Sequence, residues 1–280
     1  MTKVLLDVSD LVEFLQRRES VSGVQRVIAE TAPLLIEHTN ITCVFLDRAR
    51  GEFIALTPEE QRTLIEQGAR ASTSTSRDEL AAVASSALER GCAATPITID
   101  ADTTVVFLGA LWINDALMAA ARMAHSRGAR IVSLLYDLTP ILDTGHTAAV
   151  NKLFDRYLAL LLQCASRVPA ISASSRRDFE AYAERQHTTA PAGAATGLPC
   201  GLTPEGRDLT ESPWPRPYAL FVGTVESRKN HLLALRTWQR LIDRHGANNV
   251  PDLVCVGRLG WNAGEFLREY VYSKGLDGKV

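Results

Sequence analysis

Short β-branched and apolar runs at Val4 to Leu6, Ile41 to Leu46, Thr104 to Leu108, Ile131 to Tyr136 and Val168 to Ile171 alternate with segments of helical spacing. Such strands have no polar face to offer water, so they require a sheet covered by helices on both sides. The chain is therefore expected to be α/β and largely parallel. Its helical segments run from Gly23 to Glu37, Pro58 to Gln67, Asp78 to Glu89, Asn114 to Arg127 and Val150 to Ala165, with Gly68, Gly91 and Gly128 closing three of them. Pro33 falls inside the first and is expected to kink or end it. The polar, low-complexity stretch Ala71 to Ser76 predicts a flexible surface excursion.

A length of 280 residues, 46% hydrophobic and 22% charged, suits about two soluble domains. The net charge of -2 supplies no field to gather nucleic acid, so no nucleic-acid partner is expected. Cys43, Cys92, Cys164, Cys200 and Cys255 are widely spaced and form no CxxC pair, which fits a reducing cytoplasm rather than a disulfide framework or zinc site. No run of about 18 apolar residues suggests a membrane span, and the amino terminus does not read as an export signal. The histidines show neither HxH nor HExxH spacing, and no GxSxG elbow is present, so neither a metal nor a serine triad is signalled.

The first domain is assigned to residues 1–190, and a Pro-, Gly- and Thr-rich connection to 191–216. A second domain begins at 217. Here Tyr218 to Val222 form a strand and His231 to Arg244 an amphipathic helix, with Leu232, Leu235, Trp238 and Leu241 or Ile242 inward. Leu253 to Val256 form a further strand. A strand-helix-strand beginning leaves a parallel sheet uncovered, so this domain, 217–280, is expected to be incomplete.

Between the two late strands lies Gly223-Thr224-Val225-Glu226-Ser227-Arg228-Lys229-Asn230. Asn230 is placed to cap the next helix and leave its first N–H groups facing the turn. With Arg228 and Lys229 beside it, the turn would hold an anion, a diphosphate better than a single carboxylate. The alternative is a solvated turn with both cations in water. Asp137, in Tyr136-Asp137-Leu138-Thr139-Pro140, follows a strand on the side where open α/β sheets bind ligands. It would bind an acceptor hydroxyl, or simply cap its own turn. Ser172, Ser174 and Ser175 read as helix caps.

GTVESRKNHLLALRTWQRL followed by LVCVGRLGW resembles the nucleotide-sugar domain of family 4 glycosyltransferases, especially bacterial mannosyltransferase-like members. In the first half, LLDVSDLVEFLQRRESVSGVQRVIAET, LLYDLTPILDTGH and AISASSRRDFEAY are similar to that family's opening strand and glycine loop, its HD-x-x-P segment and its Ser-rich strand end. The resemblance implies two Rossmann-like doubly wound domains facing across a cleft, the glycosyltransferase B type, and retaining transfer of a hexose such as mannose. The donor would be GDP- or UDP-linked, and the acceptor a polysaccharide or lipid-linked glycan of the cell envelope.

By the same resemblance Lys229 contacts the donor diphosphate, with Gly223 and Thr224 in the same turn. Thr224 stands where many members are basic, Arg228 partly replaces that charge, and Gly23 belongs to the glycine loop that approaches the donor. Asp137 would be the catalytic carboxylate, although Tyr136 replaces the family histidine. No cofactor or metal is implied. The family's paired glutamates are missing, which leaves open an inactive module that binds glycan or a partner chain supplying the missing half. Peripheral association with the inner face of the membrane is a further implication.

Overall fold

The computed structural model describes residues 3–17, 23–38, 40–66, 74–142, 148–198, 212–260 and 262–280. The chain divides into two compact units, Met1–Gly201 and Leu202–Val280. Among the described residues no helix is long and apolar enough to cross a membrane.

The first unit is built on β1 (Lys3–Asp7), β2 (Ile41–Asp47), β3 (Glu52–Ala55), β4 (Thr103–Phe107), β5 (Arg130–Ser133) and β6 (Ala165–Arg167). These form one mixed sheet in the order β3-β2-β1-β4-β5-β6, parallel except for the antiparallel β2–β3 pair. Side chains alternate strictly across it. Leu5, Val44, Leu46 and Phe107 enter a core with α5 (Asp115–Ser126), α7 (Ala148–Cys164) and α8 (Ala173–Arg185). Leu6, Cys43, Phe45 and Ile54 enter another with α1 (Ser9–Gln16), α2 (Val24–His38) and α4 (Ser74–Gly91). Helices thus cover both faces, a Rossmann-like arrangement.

Several local expectations need correction. The segment after β1 contains helix α1, because Leu11, Val12 and Leu15 share one buried face. α2 runs through Pro33 as one helix; burial of Ile28, Ala29 and Ala32 outweighs the hydrogen bond that proline forgoes. α4 starts at Ser74, inside the expected loop, while Ala71 to Thr73 lie outside the described residues. The helix expected at Pro58 to Gln67 is α3 (Pro58–Gln61), capped by Thr57, followed by a π-turn at Arg62–Glu66. Val168 to Ile171 form bridges rather than a strand, Ala170 pairing with Leu135 and Ala195. Residues 192–196, inside the segment assigned as a connection, therefore hydrogen-bond along Val168 and Ala170. Residues 199–211 lie outside the described residues. The short α6 (Thr139–Leu142) precedes α7.

In the second unit, β7 (Tyr218–Val222) pairs in parallel with β8 (Asp252–Val256), and α9 (His231–His245) joins them. Leu235 and His231 bury on the sheet, while Leu220, Val222 and Val256 leave its other side exposed. α10 (Gly264–Tyr272) follows, then a short turn, α11 (Lys274–Gly278), whose residues 274 to 277 take left-handed φ. Beyond it, the Lys279 carbonyl accepts from Leu253 N at 2.8 Å. Asp252, 2% exposed, anchors this end: its carboxylate accepts from Trp214 Nε1 at 2.8 Å and Arg216 Nε at 2.7 Å, with Lys279 Nζ at 3.2 Å. The Trp214 hydrogen bond first, and then those cations, hold its carboxyl below the usual carboxylate range.

Past their strands the two segments stay in contact. Gly223 N donates to Val256 O at 2.9 Å, Val225 N to Arg258 O at 2.8 Å, and Gly260 N to Val225 O at 2.9 Å. A Cβ on Gly257 would lie 1.9 Å from Gly223 O, so only glycine admits this approach. Gly257→Ala is therefore expected to force the two loops apart and lower the second unit's stability by roughly 2 kcal/mol or more. Urea unfolding followed by tryptophan fluorescence, with Trp112 of the first unit replaced by phenylalanine so that the remaining tryptophans report on the second, measures it.

Candidate functional site

In the first unit, β1 connects outward to β2 on one side, while β4 pairs with its other edge and leads away to β5 and β6. The connections reverse direction between β1 and β4, and the crevice outside their carboxyl ends is where open α/β sheets bind ligands. Asp10, in the first turn of α1, occupies it. Gln25 Nε2 donates to both carboxylate oxygens at 3.1 Å, and Ala110 N donates to Oδ2 at 3.1 Å. These three contacts come from two donor nitrogens and leave the carboxylate room for a further donor, since it offers about four lone-pair sites. Gly109 permits this packing: a Cβ there would sit 3.0 Å from Ile28 Cδ1 and 3.1 Å from Asp10 Cβ.

A cavity of about 210 Å³ opens beside Asp10, lined also by Glu13, Arg17, Gln25, Arg48 and Asn114. Arg48 Nε donates to Glu13 at 2.7 Å, so that pair is internally neutralised. Tyr136 packs edge-on against Trp112 at 5.9 Å, and its hydroxyl donates to Leu108 O at 2.7 Å. Burial first, and then the charge on Asp10, hold its phenol above the ordinary range. Tyr136 is thus a fixed neutral donor.

The structure does not bring Asp137 into this cavity. Its side chain is exposed and accepts from Thr139 N at 2.9 Å, the turn-capping geometry. Ser172 caps α8 through Ser175 N at 3.0 Å, and Ser175 Oγ donates to Tyr136 O at 2.6 Å. Gly23 is exposed with φ +55, two residues before Gln25. Sequence reasoning missed Asp10 and Gln25. The available signal was an acidic residue directly after the first strand.

In the second unit the turn after β7 places Gly223 at φ +159, Thr224 exposed, and Ser227–Lys229 in a 3₁₀ turn. Arg228 folds back onto Glu226 at 2.7 Å. The Lys229 side chain is exposed and makes no ion pair or hydrogen bond among the described residues, while its backbone N–H donates to Glu226 O at 3.1 Å. Asn230, at φ 57, caps α9 by accepting from Leu233 N at 3.2 Å. The N–H groups of His231 and Leu232 have no partner among the described residues. Lys229 and these donors form the positive end of a 15-residue helix. Trp261 and His146 lie outside the described residues. Among the described residues no group of three His, Cys, Asp or Glu is placed to hold a metal ion.

Asp7 lies at the root of the first crevice, 1% exposed, with Ser9 Oγ donating to it at 2.5 Å and Ser9 N at 3.3 Å. Ser9 Oγ in turn accepts from Leu46 N at 2.8 Å. Burial, opposed only in part by these hydrogen bonds, pushes the Asp7 carboxyl up to about 7. The folded state therefore holds this proton more tightly than the unfolded chain. Stability from the neutral form is full below about pH 4 and declines as pH rises through about 7. Asp7→Asn, which stays neutral, is expected to gain on the wild type between pH 5 and pH 8, by roughly 2–3 kcal/mol. Paired urea titrations at the two pH values measure the difference. In comparisons with known proteins, no family model and no curated protein matches this chain.

Proposed function

We propose that the chain is a glycosyltransferase of the retaining, family 4-like kind, passing a hexose such as mannose from a nucleotide-diphosphate donor to a hydroxyl of a polysaccharide or lipid-linked glycan. The observation that carries this reading is the turn after β7, where unpaired Lys229 and the open donors of α9 stand together at the carboxyl end of a parallel strand. Two Rossmann-like domains facing across a cleft, at the inner face of the membrane, belong to the same proposal.

As the bond from the sugar's anomeric carbon to the diphosphate oxygen breaks, negative charge grows on the leaving group. Lys229 and the helix N–H groups stabilise it electrostatically. Arg228, engaged by Glu226, supports the turn instead. The new bond forms to the acceptor oxygen, whose proton passes to the leaving diphosphate oxygen. Asp10 replaces Asp137 as the better-placed carboxylate to orient an acceptor hydroxyl, because it faces a cavity and Asp137 caps its own turn.

A second reading, an inactive module that binds a partner chain, is favoured by the exposed apolar face of β7 and β8. There Leu220, Val222 and Val256 are 55%, 68% and 51% exposed. Sugar transfer by the 280-residue chain would exclude it.

Lys229→Ala is expected to weaken GDP or UDP binding roughly ten- to a hundredfold, the loss of one charge-assisted hydrogen bond, with an unchanged melting temperature. Isothermal calorimetry decides, and equal affinities for the variant and the parent would remove Lys229 from the donor site.

A further inference from the structure

α1 and its C-cap carry Asp10, Glu13 and Arg17 at intervals of three and four residues, which puts all three on one face. Glu13 and Arg17 have the spacing at which a helical carboxylate and cation normally pair. Here they do not. Arg48, directly after β2 and 35 residues from Glu13, takes both of its oxygens: Nε donates to Oε1 at 2.7 Å, and a second guanidinium nitrogen donates to Oε2. The Arg17 side chain is thereby left exposed, with no ion pair or hydrogen bond among the described residues.

Arg17 lines two adjacent cavities, the crevice of about 210 Å³ beside Asp10 and another of about 320 Å³ that reaches Leu46 and Leu88, with Glu13 and Arg48 also common to both. Since Glu13 and Arg48 neutralise each other, the charges left for a ligand are Asp10 and Arg17, about 10 Å apart along the helix. Asp10 has room for a further donor. Asn114, which caps α5 through Oδ1, keeps its amide N–H groups for the cavity. A carboxylate and an amide suit sugar hydroxyls, whereas a guanidinium fork suits the paired oxygens of a phosphate or carboxylate. A neutral sugar would leave Arg17 unused, and a bare inorganic anion would gain nothing from Asp10.

We infer that this crevice binds an anionic sugar, with a sugar hydroxyl on Asp10 and the phosphate or carboxylate group on Arg17. Resting on the acceptor role proposed for Asp10, the same site is thereby narrowed to a charged acceptor. The donor turn of the second unit takes no part in it.

The test titrates the full chain, with no nucleotide present, against mannose 6-phosphate, glucuronate, free mannose and inorganic phosphate, by calorimetry and by NMR of the Arg17, Gln25 and Ala110 backbone amides. At least one charged sugar is expected to bind saturably and about tenfold more tightly than either mannose or phosphate. Which of the two does so identifies the anionic group. Arg17→Gln is expected to lower that affinity to the level of mannose without changing the melting temperature, and Lys229→Ala to leave it unchanged. Arg48→Ala releases Glu13 to pair with Arg17 and is expected to weaken binding, which Glu13→Gln in the same chain restores. No preference for a charged sugar, phosphate alone binding as tightly, undiminished affinity in Arg17→Gln, or a double variant that stays weak would each overturn the inference, and the wild-type titration decides even if a variant fails to fold. A chain that binds the charged sugar but transfers no hexose would remove the glycosyltransferase reading and leave this site standing.

Discussion

Burial on both faces of the six-stranded sheet is the constraint on which the first unit depends. Neighbours in sequence, Leu5 and Leu6, enter opposite cores, and the same alternation carries Cys43 and Phe45 to one side and Val44 and Leu46 to the other. Apolar area removed from water stabilises folding by about 25 cal/mol per Å², which makes each such side chain worth roughly 1.5–3 kcal/mol. Polar groups are thereby pressed to the strand ends. Asp7, Ser9 and Asp10 follow one another out of β1 as burial gives way to the crevice.

That position explains why two nearby carboxylates differ. Asp7 is enclosed with Ser9 as its hydrogen-bond donor and is driven toward its neutral form. Asp10, one turn further out, accepts from Gln25 and Ala110 and lines a cavity. In the second unit, close backbone approach plays the organising part instead. Gly257 lets the loops after β7 and β8 run together, which fixes the turn before α9 and so places both Lys229 and His231.

The strands that were legible are β1, β2, β4, β5, β7 and β8, whose cores are uninterrupted apolar or β-branched runs. β3 escaped because four residues, Glu52 to Ala55, offer too short a pattern, and α1 because its eight residues begin two positions after a strand. At the candidate site, the cap by Asn230 was readable from a local pattern, since its partner lies three residues away. Arg228 was expected to hold the diphosphate beside Lys229, or to lie in water, because nothing in the local sequence shows which way it folds. Its ion pair with Glu226 required the 3₁₀ turn.

The sequence by itself determined the α/β character, the helix beginning at His231 and the cationic turn before it, because periodicity and capping act over a few residues. Only the tertiary structure decided that Asp10 meets Ala110 across 100 residues and that His231 is sealed between Phe221 and Phe266. Those outcomes depend on which strands become neighbours and how helices pack upon them. That is settled by burial over the whole unit, which no short stretch of chain encodes.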